Sequence, residues 1–263
     1  MDIVRNEMKR RMEAGEQVAS LNVNRWKTVD IAEIAAVCGF EWLFMDLEHS
    51  VLTEEMVGQM AMMSLRIGVT PIARVGTNQW YQASRLLDAG CQGIVFPHAE
   101  DADQAHAAVH ASKYPPLGAR SLTSPLPQAR YGRASNRESM AALNAETLTI
   151  VMIETRRALD NLEAIASVPG VDALLIGTND LAADFGVPGE LGHDLVVAAY
   201  GQVRDACRKH RRFLGMGGVY SAPLVKRYLA MGVQFMLGGA DVSLMMEAAK
   251  LRREMIASCT KTN

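Results

Sequence analysis

Apolar runs one strand long recur along this chain, and each breaks off abruptly in polar residues or glycine. Eight stand out: QVASLNV (17–23), EWLFMDLE (41–48), TPIARV (70–75), GIVFPHA (93–99), LTIVMIE (148–154), ALLIGT (173–178), FLGMGG (213–218) and FMLGGAD (235–241). Between and after them lie amphipathic stretches with helical spacing, at 30–38, 54–66, 79–89, 102–112, 156–167, 194–210, 222–231 and 244–256. Near-continuous apolar runs predict strands buried on both faces, and their alternation with helices predicts repeated βα units around a parallel sheet. Several helices stop at glycine, with the next strand two or three residues on: Cys38-Gly39, Ala89-Gly90, Pro169-Gly170 and Met231-Gly232. Left-handed backbone just past a helix end costs glycine little. Eight alternations predict a single (β/α)8 TIM barrel over residues 1–263, with its chemistry at the C-terminal ends of the strands. A doubly wound open sheet is the competing arrangement.

Residues 113–147 break this rhythm. Prolines at 115, 116, 125 and 127 and short polar residues read as a long loop after the fourth helix, followed by one extra helix near 136–145. Loops this long in compact domains are usually functional or mobile, so a lid over the barrel mouth is expected. An inert surface excursion is the alternative.

Composition narrows the classes. An apolar fraction of 49% with 21% charged residues can fill a large core. The net charge is −2 and no dense Lys/Arg stripe occurs, so nothing suggests nucleic acid as a partner. No signal-peptide core opens the chain and no run of about 18 apolar residues interrupts it, so no membrane partner and a cytoplasmic location are expected. Cys38, Cys91, Cys207 and Cys259 form no CxxC pair and read as reduced thiols. The 16 scattered methionines read as core filler.

Three segments then carry the candidate chemistry: FMDLEHS (44–50), IVMIET (150–155) and LLIGTND (174–180). If the barrel gathers their ends, Glu154 and Asp180 form a hard, anionic oxygen site for a divalent cation, with His49 nearby as the titrating base. Alternation points Asp46, Glu48 and Arg74 inward, where the planar arginine can grip a substrate oxygen, neutralise the two acids, or do both. His49 could instead be a satisfied structural histidine, and Asp180 an N-cap for LAADF. The turn Gly177-Thr178-Asn179-Asp180 opens a helix whose amides can hold an anionic group. GMGG (215–218) and LGGAD (237–241) resemble phosphate cradles, or simply end strands.

With these residues assembled, the chain resembles the HpcH/HpaI aldolase/citrate lyase family, and within it the metal-dependent class II pyruvate aldolases. The likeness spans about residues 15–256 and rests on WLFMDLEHS, PIARV, LLDAGCQGIVFPHAED, YPPLGARS, MIETRRALDNLEAI, VPGVDALLIGTNDLAADFG and KRYLAMGVQFMLGGAD, in that order. It implies an aldehyde-lyase that cleaves 2-keto-4-hydroxy acids to pyruvate and an aldehyde. It further implies a homo-oligomer, a hexamer with the last helix exchanged between subunits. The implied cofactor is Mg²⁺ or Mn²⁺ at Glu154 and Asp180, with Co²⁺ or Zn²⁺ as further candidates. By the same resemblance His49 is the base that acts on the substrate hydroxyl, Arg74 steadies the enolate oxygen, and Asp88 supports the histidine across a subunit boundary. The amides near Gly177, Thr178 and Asn179 would hold the pyruvate carboxylate.

Two departures stand out. Family members carry Gln-Ile-Glu where this chain has Met152-Ile153-Glu154, which places an inward thioether, unable to donate a hydrogen bond, against the substrate. Many also carry Gly-Pro-Ala-Asp where this chain has Gly-Thr-Asn-Asp. The competing functions are an acyl-CoA lyase of the citramalyl or malyl type, disfavoured by the lack of clustered basic residues, and a non-catalytic small-molecule or phosphate-binding barrel.

Overall fold

The computed structural model describes residues 3–77, 79–132 and 135–260. Eight parallel strands close into a barrel in sequence order: β1 (Val18–Val23), β2 (Trp42–Asp46), β3 (Thr70–Arg74), β4 (Gly93–Phe96), β5 (Leu148–Ile153), β6 (Ala173–Gly177), β7 (Phe213–Gly217) and β8 (Phe235–Ala240). All eight expected strands are present and the open-sheet alternative is excluded. All but β1, which ends with its run at Val23, stop one to three residues short of the expected run, because the polar ends leave the ladder to form the rim.

Among the described residues, twelve α-helices accompany the strands: α1 (Glu7–Glu13), α2 (Ile31–Val37), α3 (Glu54–Ile67), α4 (Gln82–Asp88), α5 (Ala102–Ser112), α6 (Asn136–Glu146), α7 (Arg156–Asp160), α8 (Leu162–Ser167), α9 (Thr178–Asp184), α10 (Asp194–His210), α11 (Ala222–Ala230) and α12 (Asp241–Thr260). The single helix expected over 156–167 breaks at Asn161, whose side chain donates to the carbonyls of Arg157 and Glu100. No helix among the described residues is long and apolar enough to cross a membrane.

Strand alternation sorts the core into two layers. Outward residues such as Leu43, Met45, Ala73, Ile94, Val151, Leu174 and Ile176 pack under the helices. Inward residues Val18, Trp42, Phe44, Ile72, Val95, Leu148, Ile150, Leu175 and Phe235 fill the barrel, and Met8 and Met12 of α1 plug its lower end. Gly215 is required here, since a Cβ would collide with the Phe235 ring. The interior is therefore solid below and open only above, where the inward positions turn polar.

The lid expected of residues 113–147 is not formed. Because this segment follows a helix and leads into a strand, its described residues lie at the N-terminal end of the barrel, opposite the mouth. Gln128 is held there by the carbonyls of Leu87 and Cys91, and the Val4 amide donates to the Gln128 carbonyl. Buried Lys113 bonds Asp172 at 2.8 Å, the Asn144 carbonyl at 3.1 Å and the Thr147 carbonyl, which satisfies all three ammonium protons. Only strand-to-helix connections reach the catalytic rim.

Candidate active site

The mouth of the barrel holds a cavity of about 400 Å³ lined by residues from the ends of seven strands, among them Asp46, His49, Arg74, Met152, Asp180 and Gly218. Register explains its central ion pair. Asp46 and Arg74 are direct partners across β2 and β3, both facing inward. The guanidinium grips the carboxylate through Nε–Oδ1 at 2.9 Å and Nη2–Oδ2 at 2.7 Å. Burial alone would raise Asp46, but the Arg74 hydrogen bonds and charge outweigh it and hold the carboxyl below its ordinary range. Burial would likewise lower Arg74, yet Asp46, Glu48 and Glu154 together keep it above its usual value.

Asp46 also shapes the loop that follows. Its Oδ1 accepts from the amides of Glu48 (3.0 Å) and His49 (3.3 Å), its carbonyl accepts from Ser50 Oγ, and its Oδ2 accepts from Asn24 Nδ2 (2.9 Å). His49 is thereby fixed at its backbone while its ring stays free, with 66% of the side chain exposed and Nε2 3.8 Å from Glu48 Oε2. A satisfied core histidine is excluded. Arg74 fills both roles expected of it only in part: Nε and Nη2 are committed to Asp46, while Nη1 lies 3.0 Å from Glu48 Oε2 and 4.0 Å from Met152 Sδ.

Glu154 follows β5 and is only 2% exposed. Its Oε2 accepts the His98 amide at 3.0 Å, and the His98 Nδ1 lies 3.7 Å away. Burial pushes Glu154 up, the His98 amide and ring pull it back, Asp180 pushes the same way as burial, and the net is above the ordinary value. Gly177 makes room for it: a Cβ there would sit 2.6 Å from Glu154 Oε1. Asp180 lies in the first turn of α9 and lines the cavity. Two hard carboxylates, one of them buried and under-compensated, suit a divalent cation that keeps other oxygen ligands from water or substrate. Among the described residues no group of three or more His, Cys, Asp or Glu could enclose a metal by itself.

The remaining expected residues divide. Gly177, Thr178 and Asn179 line the cavity, but the buried Thr178 hydroxyl is paired with Tyr200 OH at 2.7 Å, leaving its backbone as the part open to a ligand. Met152 lines the cavity and is buried. Asp88, at the end of α4, is absent from the cavity wall of its own chain and pairs with Arg120 Nη2 at 2.6 Å. The glycine-rich ends of β7 and β8 have packing duties. Gly218 gives space to the Asn179 side chain, and Gly238 lies against the Ser20 carbonyl and the Phe40 ring.

His98 was missed by the sequence reading. It stands just past β4 with φ at 55°, a left-handed conformation unusual outside glycine, and its Nε2 is 3.3 Å from Glu48 Oε1. Its signal was the same as for the other rim residues, an apolar run (GIVF) ending in a polar side chain, hidden by counting 97–99 as strand.

A model of the HpcH/HpaI aldolase/citrate lyase family matches residues 26–248. The hydroxypyruvate/pyruvate aldolase of Sagittula stellata is 36% identical over 258 residues, covering 96% of this chain and 98% of its own. A 4-hydroxy-2-oxo-heptane-1,7-dioate aldolase of Escherichia coli is 36% identical over 220 residues, 83% of each chain. Among solved structures, an HpcH/HpaI aldolase from Desulfitobacterium hafniense superposes with a TM-score of 0.89 at 26% identity, covering 94% of this chain and 95% of that one. The chain belongs to the HpcH/HpaI aldolase/citrate lyase family.

Proposed function

We propose that this chain is a divalent-metal-dependent class II aldolase, a lyase that cleaves or forms 2-keto-4-hydroxy acids by way of a pyruvate enolate. The observation that carries the reading is the convergence of His49, Arg74 and Asp180 on one cavity, with the Asp180 charge near enough to add to burial in raising Glu154. Mg²⁺ or Mn²⁺ fits the donor set better than Co²⁺ or Zn²⁺, since Glu154 and Asp180, which would hold it, offer oxygen alone. When bound, such an ion supplies Lewis-acid stabilisation of charge on the substrate oxygens.

In the cleavage direction His49 takes the proton from the C4 hydroxyl as the C3–C4 bond breaks. The electron pair of that bond flows into the keto group, the aldehyde departs, and proton return to C3 gives pyruvate. Arg74 Nη1, the guanidinium nitrogen not bound to Asp46, steadies the growing negative charge. The first-turn amides of Thr178 and Asn179 lack carbonyl partners within α9 and hold the pyruvate carboxylate. In this reading Met152 contributes shape and donates no hydrogen bond to the substrate.

The active unit is a homo-oligomer, a hexamer in which α12 crosses to a neighbour and Asp88 supports the His49 of another copy. Exposed Met245, Met246, Leu251, Met255 and Ile256 on α12 support this. A cytoplasmic location accords with cysteines that form no disulfides. The test is release of pyruvate from 4-hydroxy-2-oxo acids with and without chelator. Chelator-sensitive turnover restored by Mg²⁺ or Mn²⁺ is expected, and activity that survives complete metal removal contradicts the reading.

A further inference from the structure

The cavity wall away from the metal acids carries a cation with nothing to bind. Beyond β1 the chain leaves the rim through Asn24, Arg25 and Trp26, whose successive amides all donate to Oδ2 of Asp241, at 3.2, 2.9 and 2.7 Å. Asp241 is buried and begins α12 just past β8, so one carboxylate oxygen anchors the backbone of Arg25 to the neighbouring strand end. Arg25 is among the residues that line the cavity. Among the described residues its guanidinium has no hydrogen-bond or ion-pair partner, whereas Arg74 already pairs with Asp46 and Glu48 and keeps only part of Nη1 for the enolate oxygen.

Barrel order gives this position its meaning. β6, which leads to Asp180, is separated from β1 by β7 and β8, so Arg25 lies nearly across the mouth from the acids. The β2 loop that carries His49 is the immediate neighbour of the β1 loop. With the C4 hydroxyl at His49 and the keto acid at Asp180, the aldehyde half of the substrate extends along the wall formed by Asn22, Asn24 and Tyr220 toward Arg25. Four carboxylates (Asp46, Glu48, Glu154 and Asp180) surround the mouth and would repel a second anionic group on the substrate. A free, backbone-anchored guanidinium at the distal wall reverses that preference for one region of the cavity.

We propose that Arg25 is a specificity-determining residue that receives an anionic tail on the aldehyde half of the substrate. This rests on the aldolase reading and deepens it. A carboxylate or a phosphate would satisfy the fork equally, and the experiment separates them.

The test runs the reaction in the aldol direction, with pyruvate and a set of acceptors: uncharged glycolaldehyde, succinic semialdehyde as the carboxylate and glyceraldehyde 3-phosphate as the phosphate. Arg25→Ala is expected to lower the ratio of kcat/KM for the anionic acceptor to that for glycolaldehyde by about 10- to 100-fold, the scale of one charged hydrogen-bonded contact. Arg25→Lys is expected to restore part of it. A loss confined to one anionic acceptor identifies the tail; an unchanged ratio overturns the proposal. Calorimetric binding of 2-oxoglutarate against pyruvate serves as a second readout without turnover, with selective weakening of 2-oxoglutarate expected in Arg25→Ala. Equal weakening of both overturns the proposal, as does a changed oligomeric mass, which would assign Arg25 to a subunit contact. No carbon–carbon bond formation with any acceptor in the wild type, beside selective 2-oxoglutarate binding, would instead mark failure of the aldolase reading alone.

Discussion

At the scale of single residues, the site is organised by Asp46, which clamps Arg74 and fixes the backbone of the His49 loop, while His49 itself stays unclamped. A base that is held by its backbone and free at its ring can approach a substrate hydroxyl. Replacing it with alanine should lower turnover by about 10²–10⁴-fold with the melting temperature little changed; near-normal turnover would remove it from the mechanism. Asp46 should show a different signature. Its folded-state carboxyl sits below the ordinary value, so its contribution to stability is complete above the unfolded value of about 4 and is lost as pH falls through the lower folded value. Asp46→Asn should therefore cost about 3–5 kcal/mol near neutrality, where it strands a buried guanidinium. That deficit should shrink in urea titrations carried below about pH 4, and a deficit that grows on acidification would contradict the assignment.

At the scale of elements, what the sequence disclosed depended on whether the information was local. Strand and helix identities follow from apolar periodicity, so all eight strands were legible, as were Glu154 and Asp180 at their ends. The destination of 113–147 was not, although the rule that only strand-to-helix loops reach the rim would have placed it. The end of β4 was legible in Pro97, which has no N–H to give to the ladder, but the left-handed turn at His98 has no such local mark, and the role of Asp241 depends on closure between β1 and β8. The sequence offers Gly177 as part of an anion-holding turn; its stronger constraint is the Glu154 carboxylate behind it. Since its φ of −82° suits any residue, Gly177→Ala isolates this contact. The variant should fold, with metal affinity weakened by about 10- to 100-fold by displacement of Glu154, and unchanged affinity would show that the carboxylate has other room.

At the scale of the whole molecule, a barrel sealed below by α1 and open above confines chemistry to one face, while the helical shell hides its reactive thiols. Burial pushes both Cys91 and Cys207 up to about 12, so neither should react with iodoacetamide at pH 8 in the native state, whereas exposed Cys38 should. Mass spectrometry of labelled peptides, with labelling at 91 or 207 as the contrary result, checks this shell directly. The deeper claim is that strands far apart in sequence deliver Glu154 and Asp180 to a single ion. Calorimetric titration of metal-free protein with Mn²⁺ tests it most directly, comparing the wild type with Glu154→Gln and Asp180→Ala. One site per chain in the wild type and loss of binding in each variant is the predicted result; Mn²⁺ binding that persists in both variants would contradict it.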